Sequence, residues 1–274
     1  MWLRARLGPW PSSAGALRSM TMTTDSTVTT ERRGRVLLIR IDRPQKRNAI
    51  DAVTTAGLDA ALNLLDDDPD LWAGVLAGTP VAFSAGTDLA AGAGLATPRG
   101  GKYGVVRRDR ATPLVAAVEG VAYGGGFELV LACDLVVAAR TARFALPETA
   151  RGLVANCGGL FRAPRALPPN VAREMLLTGD PLDAERAWSL GLVNRLVEPG
   201  EAERAALELA ERVCAHAPVA QRLSLRAVAA ADAERDARGW AATELADAEV
   251  NATADAAEGV AAFREKRAPR WSAR

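Results

Sequence analysis

The sequence predicts an α/β protein with a helical C-terminal part, and three observations carry that prediction. Short, largely apolar, often β-branched segments recur up to about residue 145. Such runs suit strands buried on both faces of a sheet. Stretches of helical periodicity separate them, as an alternating α/β order requires. From about Val171 onward, helical patterns take over almost completely.

Taken in order, folded sequence is expected from Gly34. Residues 36–41 (Val-Leu-Leu-Ile-Arg-Ile) read as a strand that ends in the turn Asp42-Arg43-Pro44. Residues 51–66 place Val53, Leu58, Ala61, Leu62 and Leu65 at helical spacing behind Asp51, a good N-terminal cap. Residues 73–78 read as a buried strand, and 91–104 as a Gly/Ala-rich loop. Residues 114–118 form the next strand, followed by a glycine-rich turn and a buried helix over about 127–133. Residues 134–139 and 142–145 are short strands. Helices are expected at 171–178, 183–191, 201–216, 219–232, 238–252 and 257–266, with one strand at 193–197.

Composition narrows the function. The chain has 274 residues, enough for a large core, and is 49% hydrophobic and 24% charged. A net charge of +1 argues against nucleic acid or an anionic membrane as partner. No stretch approaches the ~20 apolar residues of a membrane span. Cys133, Cys157 and Cys214 are too few and too irregular for a disulfide framework or a zinc site. The single histidine, His216, near the end of a helix-like stretch, reads as structural. A histidine-rich metal site is excluded, and a Ser-His-Asp or Cys-His machine would need His216. Lys46, Lys102 and Lys266 are the only lysines among 34 basic residues, so a lysine carries more weight here than an arginine. Residues 1–33 form a basic, Ser/Thr-containing stretch without an acid before Asp25. They are expected to be a disordered tail or a mis-assigned start, with a transit peptide as the alternative. The corresponding locations are the cytoplasm or the mitochondrial matrix.

Three motifs carry chemistry. Gly120-Val-Ala-Tyr-Gly-Gly-Gly-Phe-Glu128 joins a strand to a helix. Its glycines permit a tight turn and close approach to the amides, and the first N–H groups of a helix lack intrahelical partners. That is a site for an anion or an oxyanion. A first-turn glutamate such as Glu128 is also an ordinary dipole partner. The run fits neither dinucleotide nor P-loop spacing. Phe83-Ser-Ala-Gly-Thr-Asp88 is a second small-residue turn, and Pro147-Glu148 a second carboxylate; taken alone, the first reads as a plain loop and the second as an exposed turn acid.

In combination these motifs resemble the enoyl-CoA hydratase/isomerase (crotonase) family from about Val36 to Trp271. Arg43-Pro-Gln-Lys-Arg-Asn-Ala-Ile50, Gly158-Gly159, Leu177-Thr-Gly-Asp180, Gly191-Leu-Val-Asn194 and residues 258–267 complete the ordered set. The resemblance implies a spiral of ββα units over 34–200, holding an acyl-CoA site. It implies a helical region over 201–274 that builds trimers or dimers of trimers and touches CoA. It implies that the N–H groups of Thr87 and Gly125 hold the thioester oxygen. Glu128 then acts as base toward water, and Glu148 as the acid that protonates the α-carbon. Ala85, Asp88, Leu89, Ala90, Gly124 and Asn156 would line the substrate site. Lys46, Arg47, Phe263 and Lys266 would contact CoA, with Lys266 reaching in from a neighbouring subunit. No metal or redox cofactor is implied; coenzyme A is part of the substrate. Thr87, Asn156 and Cys157 depart from the family's usual residues and leave the shape of the acyl group open. The leading expectation is 2-enoyl-CoA hydration. An isomerase, a specialised acyl-CoA dehydratase or a non-catalytic binder are the alternatives.

Overall fold

The computed structural model describes residues 27–91 and 96–274. Expectations for residues 1–26 and 92–95 lie outside the described residues.

Strands β1 (Val28–Arg33), β2 (Val36–Ile41), β3 (Ala73–Ala77), β5 (Leu114–Val118), β7 (Leu135–Ala139) and β10 (Arg195–Val197) form one sheet in the order β1-β2-β3-β5-β7-β10. Only β1 and β2 are antiparallel; the remaining pairs are parallel. Strands β4 (Ala82–Ser84), β6 (Val121–Tyr123), β8 (Arg143–Ala145) and β9 (Leu182–Asp183) form a second, smaller sheet in that order. There β4, β6 and β8 run parallel, so their C-terminal ends open on the same side. The chain alternates between the sheets. Each of the pairs β3/β4, β5/β6 and β7/β8 gives one strand to the large sheet and the next to the small one. This is the repeated ββα pattern of a crotonase-like fold.

Helix α1 (Ala52–Asp67) begins where Asp51 accepts the N–H of Thr54 at 2.8 Å, and it buries Leu58, Leu62 and Leu65. Helix α6 (Ala202–Cys214) lays Ala202, Ala205, Ala206 and Ala210 on the large sheet, against Val36, Val75, Val115 and Val137. The first helix of the C-terminal region therefore completes the core. The opposite face of the sheet meets Phe83, Phe127 and Phe144 in the main core.

The structure differs from the sequence reading in four places. Residues 28–33, assigned to the tail, are the edge strand β1. Their Thr/Glu/Arg pattern reads as polar because only Val28 is buried, packed against Gly57 of α1. The two turns at 82–84 and 121–123 each hold a three-residue strand, too short for periodicity to mark. Helix α3 (Gly159–Ala166) has Gly158 before it and Pro164 within it, which hide its pattern. The helices expected at 219–232 and 238–252 are one helix, α7 (Pro218–Asn251), because residues 233–237 are all compatible with helix and contain no breaker. The other helices are α2 (Gly125–Leu131), α4 (Pro169–Thr178), α5 (Ala184–Ser189) and α8 (Ala254–Glu265).

Candidate active site

The segment after β4 is held from behind by the Arg43–Ile50 turn. Asn48 is fully buried; its Nδ2 donates to the carbonyls of Ala82 (2.7 Å) and Phe83 (3.2 Å), and its Oδ1 accepts the N–H of Arg43. Arg43 Nη1 binds Asp88 Oδ2 at 2.7 Å, and its Nη2 lies 3.0 Å from Asp51. This pairing holds the Asp88 carboxyl below its ordinary range, and Asp88 also accepts the N–H of Ala90 and Ala91. Asp88 is therefore committed to shaping the loop, with its carboxylate turned to Arg43.

The same bracing aims one amide. Ile50 donates its N–H to Gly86 O (2.8 Å) and accepts the N–H of Asp88 (2.9 Å). Successive peptide groups on an extended chain face opposite ways, so the intervening N–H of Thr87 points away from Ile50. It has no hydrogen-bond partner among the described residues. The N–H of Gly125, at the first position of α2, has none either. The two turns touch: a Cβ on Gly86, which has φ +87°, would lie 3.0 Å from Gly125 N. Glycine is required there by both conformation and space.

Glu128 stands in the first turn of α2 and is 1% exposed. Its Oε1 accepts the N–H of Cys157 (2.6 Å) and of Gly159 (2.8 Å). Burial raises its pKa to about 7, against the pull of those two donors and of Lys102 and Arg162. Glu148 follows β8 on a short 3-10 turn, Pro147–Arg151. A Cβ on Gly124 would lie 3.1 Å from Glu148 Oε1, so this carboxylate sits against the start of α2. Its Oε2 is buried without a partner. Burial first, then the charge of Glu128, pushes the Glu148 carboxyl up to about 8. The two acids thus differ in kind: one is solvated by fixed amides, and the other keeps its proton.

Tyr103, Lys102, Arg162 and Asp247 belong to the same neighbourhood and escape sequence reasoning. Tyr103 is buried with φ +59°. Its hydroxyl is 2.7 Å from Thr87 Oγ1 and so close over Gly125 that a Cβ there would clash. Its pKa is raised well above the usual phenol range by burial, next to Cys157 and Glu128. Burial likewise raises the Cys157 thiol well above its usual range, which suits a wall and not a nucleophile. Arg162, half-buried, donates from Nη2 to Val106 O (2.8 Å), and its Nη1 is buried without a partner. The scarcity of lysine is the one sequence signal that singles out Lys102.

The remaining expected contact residues lie at the rim. Lys46 and Arg47 are exposed, and Leu89 and Ala90 continue the Thr87 loop. Ala85 donates its N–H to Arg47 O at 3.0 Å. Helix α8 packs on the turn that bears Glu148. Gly259 abuts the Arg151 carbonyl, and the Arg151 guanidinium lies 4.8 Å over the Phe263 ring. Arg264 Nη2 donates to Leu89 O at 2.9 Å. Lys266 follows two residues later as the cap of α8, so its helix borders the site of its own chain. Among the described residues no group of three or more His, Cys, Asp or Glu side chains is placed to hold a metal ion. No helix among them is long and apolar enough to cross a membrane.

Comparison with known proteins agrees with this geometry. The Enoyl-CoA hydratase/isomerase family model matches residues 31–274. A carnitinyl-CoA dehydratase of Salmonella typhi is 41% identical over 254 residues, 89% of this chain and 97% of that protein. Among solved structures, a carnitinyl-CoA hydratase from Mycobacterium avium superposes with TM-score 0.86 at 40% identity, over 92% of this chain and 100% of that one. An enoyl-CoA hydratase from Mycobacterium tuberculosis gives 0.74 at 43% identity, over 91% and 100%. With a family model over nearly its whole length, and relatives and solved structures at 40–43% identity, the chain belongs to the enoyl-CoA hydratase/isomerase family.

Proposed function

We propose that this protein reversibly adds water across the 2,3-double bond of a 2-enoyl-CoA thioester. The observation that carries the reading is the unlike pair of acids beside two free amides. Glu128 is held by two N–H donors, while Glu148 is buried with an oxygen that has no partner.

In this reading the thioester oxygen lies between the N–H groups of Thr87 and Gly125, which stabilise the enolate as negative charge moves onto it. Such a donor is typically worth about 3–4 kcal/mol in the transition state. Glu128, as carboxylate, takes a proton from water while the water oxygen bonds to C3. Glu148, as acid, gives its proton to C2. Proton exchange with solvent then returns each acid to its starting form; dehydration runs the same steps backwards. An isomerase needs one such group, so the retention of two favours hydration. The relatives named carnitinyl-CoA dehydratase favour a second, narrower reading, in which a substituted 3-hydroxyacyl-CoA is dehydrated on the same groups. We read the soluble partners as an acyl-CoA and further copies of the chain.

The test is crotonyl-CoA hydration, followed as loss of the enoyl-thioester absorbance. Glu148→Gln is expected to lower kcat by at least about 10²-fold while CoA-ester binding stays within a few-fold. Near-normal turnover by this variant would remove Glu148 from the chemistry.

A further inference from the structure

One side chain, Tyr103, touches both amide-bearing turns. Its hydroxyl lies 2.7 Å from Thr87 Oγ1. The same edge of the ring rests on Gly125, where a Cβ would lie 2.3 Å from the hydroxyl oxygen and 2.7 and 2.8 Å from ring carbons Cζ and Cε2. Thr87 and Gly125 carry the N–H groups that have no hydrogen-bond partner among the described residues of these two turns. The ring is 4% exposed, and a phenylalanine would fill the same space. Packing therefore accounts for the ring and leaves the hydroxyl unexplained. That hydroxyl bonds Thr87 and has Cys157 as a further neighbour.

The backbone under Tyr103 is strained, and the loop that carries it is braced on two sides. Tyr103 has φ 59° and ψ 5°, a left-handed conformation that a bulky side chain adopts only where its surroundings impose it. Thr97 and Gly101 close the base of the loop with paired backbone hydrogen bonds of 2.9 and 3.0 Å. On the α1 side, the Arg108 guanidinium is 1% exposed and bound by Asp59, Asn63 and Asp66. Gly104 lies so close to that helix that a Cβ would stand 2.9 Å from Thr55 O. On the α7 side, Lys102 Nζ lies 3.4 Å from Asp247 Oδ2, and Arg107 pairs with Glu244. Asp247 also accepts Asn156 Nδ2 at 2.8 Å, one residue before the Cys157 amide that holds Glu128. An unstrained loop could bury an aromatic ring equally well. The strain and its bracing place the ring at one spot, over Gly125 and against Thr87.

We propose that Tyr103 is a positioning residue of the reaction: by bonding the Thr87 side chain and bearing on Gly125, it fixes the gap between the two amides that hold the thioester oxygen. The proposal rests on the enoyl-CoA reading of the site. A neutral thioester oxygen gains little from a second amide, whereas an enolate oxygen gains from both at once. A loosened gap is therefore felt in the enolate-like transition state and hardly at all in binding of the ground-state ester.

The experiment compares wild type with Tyr103→Phe, Thr87→Ala, the double variant and Thr87→Ser. It reads kcat and KM for crotonyl-CoA, equilibrium binding of butyryl-CoA, and the near-ultraviolet absorbance of bound acetoacetyl-CoA, which reports its enolate. Tyr103→Phe keeps the buried ring and removes only the hydroxyl. It is expected to lower kcat by about three- to tenfold and to lower the enolate fraction of bound acetoacetyl-CoA, with butyryl-CoA binding within about twofold of wild type. Thr87→Ala should show the same split. The double variant should fall no more than about twofold below the slower single variant, because both changes break one bond. Thr87→Ser, which restores a hydroxyl, should recover most of the rate that Thr87→Ala loses. Wild-type kcat and enolate absorbance in Tyr103→Phe would overturn the proposal. So would losses that multiply in the double variant, which would route Tyr103 through Cys157. Equal losses of kcat and butyryl-CoA binding would reduce Tyr103 to a packing residue. Crotonyl-CoA turnover indifferent to the hydroxyl defeats the role of Tyr103 alone. A hydroxyl-dependent enolate signal without crotonyl-CoA turnover defeats the hydratase reading alone, and absence of both defeats both.

Discussion

Glu128 and Glu148 make the protein's stability depend on pH in a direction that follows from their surroundings. Both carboxyls have pKa values raised above the ordinary range in the folded state, to about 7 and about 8. Between that ordinary range and pH 8 the folded chain therefore holds more protons than the unfolded chain, so stability falls as pH rises through this window. Each pKa unit is worth about 1.4 kcal/mol, so shifts of this size cost the folded chain several kcal/mol as pH rises through the window. Glu148→Gln should flatten this slope and leave the variant more stable than wild type at pH 8; urea midpoints at pH 5, 6.5 and 8 would test it. An unchanged slope would mean that Glu148 is solvated in the folded chain. The rate should follow the same pair. It should decline as pH rises past about 8, where Glu148 loses its proton, and decline on the acid side as Glu128 gains one. These two acids were legible in the sequence because each follows a glycine- or proline-marked turn. Tyr103 and Asp247 were not: each joins the site from a distant segment, and nothing local in the sequence distinguishes a buried tyrosine in a glycine-rich loop.

At the scale of elements, the Arg43–Ile50 turn aims Thr87 without touching substrate. Asn48 alone satisfies two buried carbonyls and one N–H. Asn48→Ala leaves those groups unpaired, at roughly 1–3 kcal/mol for each that stays dry. A lower melting temperature and a lower kcat are expected together; thermal unfolding and steady-state kinetics would measure both, and an unaltered kcat would uncouple this turn from the amide. Thr87→Ala is the informative contrast. The amide remains, so the expected loss of kcat is modest, about tenfold or less, and a larger loss would assign the hydroxyl a role of its own. Buried strands and long helices were legible because their periods repeat. The three-residue strands of the small sheet were not, because no period fits within three residues. Nor was β1, whose one buried side chain leaves a polar pattern.

Across the whole molecule, α7 stands out as 34 residues with only Thr243 buried, while Val219, Leu223 and Val228 are exposed. A helix this long, with so little of its surface covered by its own chain, fits assembly with further copies. Light scattering is expected to give a mass above that of one chain, and Leu223→Glu to lower it. A monomeric wild type would refute the assembly.

The parallel order β4, β6, β8 gives the reaction site a ruler. The segments carrying Thr87, Gly125 with Glu128, and Glu148 leave the ends of three adjacent strands, and neighbouring strands stand about 4.8 Å apart. The spacing of the reactive groups is thus inherited from backbone hydrogen bonds that no single side chain supplies. It works like a comb whose teeth can be replaced one at a time. A change at one strand end alters one chemical function and leaves the pitch of the others intact, so a single scaffold of this kind can be retuned from one acyl-CoA reaction to another without being rebuilt.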